Sequence, residues 1–486
     1  MNAAIGSQFS TFDIAIVGSG FCGTMLAIRL AALGRFGPRI ALIDGAAAFG
    51  GGIAFGTTRP EHLLNVPAAK MSAFPESPEH FLTWLRSNGH ALTDLMIRGV
   101  QATDFVPRAA YGRYLSTLLE AALASNDRIS MIARRVVDVV THDDGVTVSF
   151  ANGGGLRAGT CILAVGNEAP SDPLAASPSF LRSPVYVRDP WGRALVEKID
   201  AVRKVLLVGS GLTAIDVALT IQARNPHAQV TMLSRRGRLP QVHRAAPPYD
   251  GDFGALTGRE SIVDISRSVR MHVRHAEAKG SDWRSVFDAL RPHTQRVWRE
   301  LSPNAKKRFL RHARPLWEIH RHRAAPAVDA AIKRMQASGL LDVRAGRLTS
   351  LSESAGRAVA SFVRRVEGDA VIVSADLVVN CTGPRGDYAR SNDPLWRNLI
   401  AGDAIRPDAL GLGIDVDGAG AVVGKDGCAS PRIYAIGSLR RGMLYESTAV
   451  PELRQQVKDL ADELSRRTAH DSTLDSARVG TAAGPA

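Results

Sequence analysis

The sequence predicts an α/β protein in which a strand, glycine turn, helix and strand unit occurs twice, followed by a helical insertion. The first unit spans residues 12–44 and the second spans residues 204–234. A short apolar strand ending in glycine follows each unit, at residues 160–166 and 377–383. Residues from about 256 to 330 have helical patterns only. This order predicts two Rossmann-like three-layer dinucleotide-binding domains with a helical insertion.

The first glycine turn reads Gly18-Ser19-Gly20-Phe-Cys-Gly23. Gly18 allows the tight turn, Gly20 lets the backbone approach a pyrophosphate, and Gly23 lets helix and strand pack closely. Asp44 ends the next strand, where a carboxylate accepts hydrogen bonds from ribose hydroxyls. A glycine-rich turn of another αβ unit is the alternative, but the strand, the helix and the acid all favour a site for FAD or NAD.

The second glycine turn has the same strand-turn-helix pattern, but the strand that follows it ends in different residues. The following strand ends in two arginines where the first unit ends in an acid. Arginine binds phosphate oxygens bidentately, whereas a carboxylate repels them, so this unit suits the 2′-phosphate of NADP. The alternative is a solvated basic turn in an arginine-rich chain. The candidate contacts are Gly209, Gly211, Ala214, Ser234, Arg235 and Arg236.

Two further stretches of the first half suggest contacts to the far end of an extended dinucleotide. Gly51 and Gly52 follow the ribose-binding acid closely, which indicates backbone running near a ligand. The segment His62-Leu-Leu-Asn65-Val-Pro67 comes next. Asn65 both donates and accepts hydrogen bonds, which suits a flavin edge, although a turn residue before Pro67 is an equal alternative. Asn65 and His62 are the candidate catalytic residues.

Strands that end in glycine return the chain to the cofactor sites. Gly166 and Gly383 end the two duplicated strands, and Gly437 ends another strand before the last helix. In FAD enzymes, such a strand and helix bring backbone amides to the ribityl phosphate and the flavin pyrimidine edge. An acid commonly follows this last glycine in flavoproteins, and here the residue is Ser438.

Composition and spacing argue against several other classes. The four cysteines, at 22, 161, 381 and 428, form no CxxC or CxxxxC pair, so we expect neither a disulfide framework nor a redox dithiol. His320 and His322 point to different sides of a helix, so we expect no metal site. No apolar run of 18 residues and no basic leader are visible, so we expect no membrane span or signal peptide and a cytoplasmic location.

The net charge of +13 is concentrated in one region. Residues 235–323 contain 20 Lys and Arg against 9 Asp and Glu, so +11 of the excess lies there. Neither aromatic platforms nor a nucleic-acid-binding motif accompanies these residues, so we expect no nucleic-acid partner. We expect an anionic cofactor and a carboxylate-bearing substrate to account for part of this charge, and many of the arginines to lie on solvated helix faces.

Longer motifs resemble those of the FAD/NAD(P)-binding protein family, which is related to the class B and N-hydroxylating flavin monooxygenases. The resemblance covers about residues 10–465 and rests on GGGIAF at 50–55, HLLNVP at 62–67, HRHR at 320–323, IGSLRRG at 436–442 and AVPELR at 449–454. It implies a two-dinucleotide-domain flavoprotein with FAD, NADPH as donor and oxygen as acceptor. It also implies that the region of Arg321 receives a substrate carboxylate.

The leading hypothesis is an FAD-dependent, NADPH-using monooxygenase that acts on a small amine- or carboxylate-bearing substrate through a flavin hydroperoxide. One alternative is a flavin reductase or dehydrogenase that passes electrons to a quinone or a protein. A second is a non-catalytic dinucleotide-binding sensor, for which one nucleotide site is enough. The expected partners are the substrate and oxygen, and the oligomeric state stays open.

The 486 residues and the 45% apolar content suit about three domains. We expect an FAD-binding domain made of residues 10–200 and 376–467. Residues 201–375 are expected to form the NADP-binding domain, with the insertion at about 256–330. The small, polar stretch 468–486 is predicted to be a disordered tail.

Overall fold

A computed structural model describes residues 10–480 except 35–36, 47–48, 257 and 259–260, with the backbone alone described at 255 and 468–480. The strands are β1 (Thr11–Val17), β2 (Ile40–Asp44), β3 (Ile129–Ala133), β4 (Val136–His142), β5 (Gly145–Phe150), β6 (Gly155–Leu163), β7 (Tyr186–Val187), β8 (Lys204–Val208), β9 (Gln229–Ser234), β10 (Leu341–Ser354), β11 (Arg357–Arg364), β12 (Ala370–Ala375), β13 (Leu377–Asn380), β14 (Ala421–Val423) and β15 (Ala429–Ala435).

The α-helices are α1 (Phe21–Ala31), α2 (Gly52–Phe55), α3 (His80–Ser87), α4 (Arg108–Ser125), α5 (Arg193–Lys198), α6 (Leu212–Arg224), α7 (Ile262–Ala278), α8 (Trp283–Leu290), α9 (Thr294–Glu300), α10 (Pro303–Arg308), α11 (Arg314–Arg321), α12 (Pro326–Ala337), α13 (Pro394–Ala401), α14 (Arg441–Leu444) and α15 (Val450–Gly480). A π-helix at Phe309–Ala313 joins α10 to α11. In the described part of the chain, no helix combines the length and apolarity needed to cross a membrane.

The first sheet has the strand order β14-β15-β6-β1-β2-β3. Strands β15, β6, β1, β2 and β3 run parallel, and the β4–β5 hairpin joins through an antiparallel β5–β6 pair. Helices α1, α4 and α15 bury one face of the sheet, and α13 with the hairpin buries the other. Because both faces are covered, its parallel strands are continuous apolar runs.

The second sheet has the strand order β12-β11-β10-β9-β8-β13-β7. Strands β10, β9, β8, β13 and β7 run parallel, and β11 and β12 extend the sheet as antiparallel strands. Helices α6 and α12 pack in the core on one face. The two sheets confirm the predicted α/β fold with two Rossmann-like units.

The two sheets use their glycine turns in the same way. Gly18 and Gly209 have φ of +107° and +126°, which favours glycine. A Cβ at Gly18 would lie 2.4 Å from the Ala164 carbonyl oxygen, and one at Gly209 would lie 2.3 Å from the Cys381 carbonyl oxygen. Each turn therefore packs on the end of the neighbouring strand, β6 or β13, as the internal duplication predicts.

The boundaries differ from those expected in three places. Strands β7 and β13 pair within the second sheet, so this sheet includes residues 186–187 and 377–380, which the expected boundaries assign to the FAD-binding domain. Helix α12 packs in the core of the second unit, so the inserted helices are α7–α11. Helix α15 continues through Gly480, where a disordered tail is expected. Extending an existing helix avoids the cost of nucleation, which explains this difference. Residues 481–486 lie outside the described residues.

Candidate dinucleotide-binding sites

The glycine run at 50–52 packs directly on the first glycine turn. The Gly50 amide donates a 3.0 Å hydrogen bond to the Ser19 carbonyl. A Cβ at Gly52 would lie 2.9 Å from the Gly20 Cα, so only glycine allows this approach. Gly51 caps the start of α2. The predicted residues Gly20, Gly51 and Gly52 therefore form one backbone surface.

The returning strand β15 reaches the other side of the same turn. A Cβ at Gly437 would lie 3.2 Å from Cys22 Sγ, inside the turn. The Gly437 amide donates to Gln456 Oε1 at 3.1 Å, which ties it to α15. The Ser438 hydroxyl donates to the Gly166 carbonyl at 2.8 Å. In this structure Ser438 thus joins two predicted cofactor-binding segments.

Asp44 lies at the edge of a cavity of about 500 Å³ at the carboxyl ends of β1, β2 and β6. Its Oδ2 accepts hydrogen bonds from the Ser19 amide at 2.7 Å and the Ser19 hydroxyl at 2.8 Å. Its Oδ1 accepts from the Ala46 amide at 2.9 Å. Both lone pairs of Oδ2 are used, but Oδ1 retains one, so Asp44 can still accept a hydrogen bond from a ribose hydroxyl.

The glycines of the first turn have separate physical roles. A Cβ at Gly23 would lie 1.8 Å from the Gly18 carbonyl oxygen, so Gly23 is needed for helix packing. A Cβ at Gly20 would have no heavy atom nearer than 3.9 Å, and one at Gly166 would have none within 4 Å. The protein itself therefore does not require glycine sterically at Gly20, and the space beside it fits a bound pyrophosphate.

The second turn offers the same kind of space. No heavy atom lies within 4 Å of a Cβ built at Gly211 or at Gly383. Ala214 is buried in α6, at the position that Gly23 occupies in α1. The Ser210 hydroxyl donates to Ser234 Oγ at 2.8 Å, as Ser19 does to Asp44. The second site therefore has a neutral hydroxyl where the first has a carboxylate.

An arginine cluster surrounds this second strand end. It comprises Arg235, Arg236, Arg238 and Arg365. Burial lowers the pKa of Arg236, and the positive charges of Arg365, Arg238 and Arg235 lower it further. None of the four pairs with a carboxylate in the described part of the chain, and Arg236 donates to the His312 carbonyl at 3.3 Å. Four unneutralised guanidiniums make an anion site.

The predicted catalytic motif forms an interdomain segment, which we call the strap (residues 62–68). It pairs with residues 104–108 of the first domain, where the Leu64 amide donates to the Val106 carbonyl at 2.9 Å. Leu63 and Phe105 pack against the core of the second unit. The strap therefore connects the two nucleotide-binding units.

The His62 side chain lies between the two nucleotide-binding units. Its ring is buried, with Nε2 2.8 Å from Thr220 Oγ1 on α6 and Nδ1 3.0 Å from Thr57 Oγ1. Burial, and then the Arg108 charge, lowers the pKa of His62 to about 4. Both ring nitrogens are occupied and the ring is neutral near pH 7, so the His62 side chain makes an interdomain contact, and its catalytic role stays a prediction.

His62→Gln should flatten the dependence of stability on pH. Because the folded pKa of about 4 lies below the ordinary 6.5, the unfolded chain binds the proton first, and stability falls as pH drops through this window. Between pH 7 and pH 5, the free energy of unfolding should fall by about 2 kcal/mol more in the unmodified protein than in the variant. Urea unfolding at both pH values measures this, and equal losses in the two proteins would refute the assignment.

An ion pair between a buried carboxylate and a partly buried guanidinium lies beside His62. Arg108 Nη2 is 2.7 Å from Asp216 Oδ2, and Arg108 Nε donates to the Leu63 carbonyl at 3.2 Å. Asp216 is buried on α6, one turn before Thr220. Burial raises the pKa of Asp216, and the Arg108 charge opposes this rise. Sequence patterns do not reveal this pair, because its partners are 108 residues apart and belong to different units.

Asn65 is partly exposed, and its carbonyl accepts a 2.9 Å hydrogen bond from His243 Nε2. The side-chain amide makes no hydrogen bond to another described residue, so it is free to bind a ligand. Burial lowers the pKa of His243 to about 4, so this ring is neutral near pH 7. Asn65 thus remains a candidate, and its predicted catalytic role stays a prediction.

The inserted helices pack on the segment that leads into α15. Arg321 lies 3.2 Å from Glu452 and 3.4 Å from Glu446, and Arg291 binds Glu452 at 2.5 Å. Trp317 Nε1 donates to Glu446 Oε1 at 2.8 Å. Arg321 is therefore buried and already paired with two acids, which contradicts the expectation that its region receives a substrate carboxylate.

A strained turn precedes this segment. The Glu446 amide donates to the Leu444 carbonyl at 2.7 Å, and Tyr445 between them has φ of 57° and ψ of −61°. This is a γ-turn of the rare, strained type. Trp298 and Phe309 hold the Tyr445 ring, at centroid distances of 4.6 and 5.2 Å. The insertion therefore fixes the entry to α15.

Sequence patterns miss some residues of the arginine cluster because those residues come together only in the folded chain. Arg238 stands in the same turn as Arg235 and could have been included, but Arg365 reaches the cluster only through the β10–β11 hairpin, whose Ala345 carbonyl accepts from the Arg365 amide at 3.0 Å. Long-range pairing leaves no local signal. The described residues contain no group of three or more His, Cys, Asp or Glu that could hold a metal ion.

Two Rossmann-like units, each with a glycine turn that leaves space for a ligand, define a protein with two dinucleotide-binding-type units. Residues 15–168 match the FAD-NAD(P)-binding family model, so the first unit is an FAD/NAD(P)-binding domain and the predicted cofactor class is confirmed. Comparison with curated proteins found no sequence match.

Solved structures with this fold include N-hydroxylating monooxygenases. The ornithine N-hydroxylase of Kutzneria sp. 744, with reduced FAD, NADP⁺ and L-ornithine, is 16% identical with a TM-score of 0.64, covering 94% of this chain and 99% of that one. The L-lysine 6-monooxygenase of Pseudomonas syringae is 15% identical with a TM-score of 0.61, at the same coverage. The FAD-bound cadaverine monooxygenase of Erwinia amylovora is 15% identical with a TM-score of 0.61, covering 93% and 94%. At these identities the likeness shows the fold.

Proposed function

We propose that the protein is an NADPH- and FAD-dependent oxidoreductase that oxygenates a small primary amine. The observation that carries this proposal is the contrast between its two nucleotide sites. The first ends in the carboxylate of Asp44, which suits ribose hydroxyls, and the second ends in a hydroxyl beside the arginine cluster, which suits a ribose 2′-phosphate. One chain therefore has a place for FAD and a separate place for NADPH.

Each part of the chain has a role in this proposal. Bound FAD would accept hydride from NADPH and activate oxygen. The backbone at Gly20 and Gly52 cradles the FAD pyrophosphate, Gly211 does the same for NADPH, and the arginine cluster selects NADPH over NADH. The free amide of Asn65 donates and accepts hydrogen bonds at the flavin edge. The inserted helices exclude water, which favours oxygen transfer over loss of reduced oxygen species.

The substrate class follows from fold and charge together. Ornithine, lysine and cadaverine, named for the proteins of similar fold, all carry a primary amine, and cadaverine has no carboxylate. Arg321, the candidate for binding a carboxylate, is already paired with Glu446 and Glu452. A carboxylate is therefore not required, and we propose the amine as the group that is oxidised.

The proposed function is tested by turnover with isotopically labelled dioxygen. The purified FAD-loaded protein is supplied with NADPH and a panel of primary amines, with and without a carboxylate. The proposal predicts NADPH consumption that an amine stimulates, with one labelled oxygen atom in the product. NADPH consumption that only a quinone or protein acceptor stimulates would support a reductase. Binding of both nucleotides without turnover would support a sensor.

A further inference from the structure

We propose that His62, Arg108, Asp216 and Thr220 are positioning residues that fix the orientation of the NADPH-binding helix α6 relative to the FAD-binding unit. The inference rests on the proposed function for the ligand of α6. Its geometry is independent of that function, because the four side chains form two polar contacts between the units, at the buried Asp216 and Thr220. We call this group the α6 anchor.

The two contacts reach one face of one helix. Asp216 and Thr220 are four residues apart, so they lie one above the other on α6. Arg108 reaches Asp216 at 2.7 Å, and His62 reaches Thr220 at 2.8 Å. Helix α6 begins at Leu212, directly after the glycine turn, so the anchor acts on the element that carries the NADPH pyrophosphate.

The two anchor residues of the first unit, His62 and Arg108, are hydrogen-bonded to each other through the backbone. The Arg108 amide donates to the His62 carbonyl at 2.8 Å. The His62 and Arg108 side chains therefore start from neighbouring points on two hydrogen-bonded backbone segments. Leu63 and Phe105 beside them pack against the core of the second unit. A change in domain orientation must therefore break both polar contacts and this apolar contact together.

Other connections also join the units. The inserted helices, which lie between β9 and β10, pair with the first unit where Arg291 and Arg321 bind Glu452 on α15. The chain passes between the sheets near Glu168 and near Arg385, and these two segments pair as an isolated β-bridge. Two adjacent crossings resemble a hinge, about which one unit can turn. The α6 anchor adds a separate attachment point. Loss of the anchor removes the polar contacts that α6 itself makes to the first unit, so α6 should then take up a wider range of positions relative to that unit.

The test measures domain orientation without using activity. Cys428 is exposed and the other three cysteines are buried, so Cys428→Ser removes the native site for a spin label. Met131→Cys and Val366→Cys, at exposed positions, then add one label site to each unit. Pulsed electron spin resonance then gives the distance distribution in the full FAD-loaded protein. Into this background we place Thr220→Val, Asp216→Asn, and both together. Asp200→Asn is the matched control, because Asp200 pairs with Arg224 of the same helix at the surface.

The unmodified anchor and Asp200→Asn should give one narrow distance distribution, and the anchor variants should give a broader one or a second population. An unchanged distribution in the double variant overturns the inference. If Asp216→Asn prevents folding because it removes a buried charge, Thr220→Val alone still tests the inference.

Flavin reduction at saturating NADPH should fall at least about tenfold in the variants, with the Kd values for FAD and NADPH changed less than about threefold. If the affinities for FAD and NADPH fall in parallel with the rate of flavin reduction, the variants are generally destabilised, and this result counts against a positioning role for the anchor. If NADPH fails to reduce even the unmodified protein, the proposed function fails, and the distances still decide the inference.

Discussion

Gly20→Ala should abolish FAD binding at concentrations that saturate the unmodified protein, while the fold is retained. The nearest heavy atom to the added Cβ is 3.9 Å away, so the protein tolerates the methyl group. The FAD pyrophosphate is expected to occupy that same space, so the methyl group displaces it. We expect the Kd for FAD to rise at least about 100-fold, which corresponds to about 3 kcal/mol.

The measurement is FAD titration of the apoprotein, with thermal unfolding as the fold check. Gly89→Ala is the matched control, because the added Cβ meets no heavy atom within 4 Å and lies in a helical turn away from the glycine motif. Gly23→Ala should instead lose the fold, because its Cβ would lie 1.8 Å from the Gly18 carbonyl oxygen. If Gly20→Ala binds FAD normally, the first site is assigned to the wrong surface.

The double variant Arg235→Gln/Arg236→Gln should lose NADPH binding and keep NADH binding. These guanidiniums belong to the arginine cluster, where mutual repulsion and burial lower the pKa of Arg236. A dianionic phosphate relieves this repulsion, and NADH offers none. We expect the Kd for NADPH to rise at least about 100-fold and that for NADH to change less than about threefold.

Titration of the FAD-loaded protein with each nucleotide measures both effects. Arg270→Gln/Arg274→Gln on α7 removes the same charge from an exposed helix face and controls for long-range attraction. Equal losses for the two nucleotides would mean that the cluster serves general stability. Loss of NADPH binding in the α7 control as well would mean that overall charge, and not the cluster, drives affinity.

The parts of the fold that follow local rules could be predicted from sequence. The glycine turns at 18–23 and 209–214, the Asp44 and Ser234 strand ends and the 142–145 hairpin each depend on residues close in the chain. The duplicated strands β6 and β13 are recognisable for the same reason, since buried parallel strands are apolar throughout. The domain class therefore follows from patterns within about thirty residues.

The contacts between units could not be predicted in this way. The motif containing His62 and Asn65 suggests chemistry at a flavin, yet the His62 side chain contacts Thr220, 158 residues later. Arg321 suggests a free cation, yet Glu446 and Glu452 come from the last quarter of the chain. In both cases a buried polar group needs a partner, but the sequence does not say which partner the fold supplies.

The most direct test of the central claim is anaerobic reduction of the FAD-loaded protein by NADPH and by NADH, followed through the visible flavin absorbance. We predict complete bleaching by NADPH, with an efficiency at least about tenfold above that of NADH, because only NADPH engages the arginine cluster. A flavin that stays oxidised under excess NADPH, or one that NADH reduces equally well, would contradict the assignment of the two nucleotide sites.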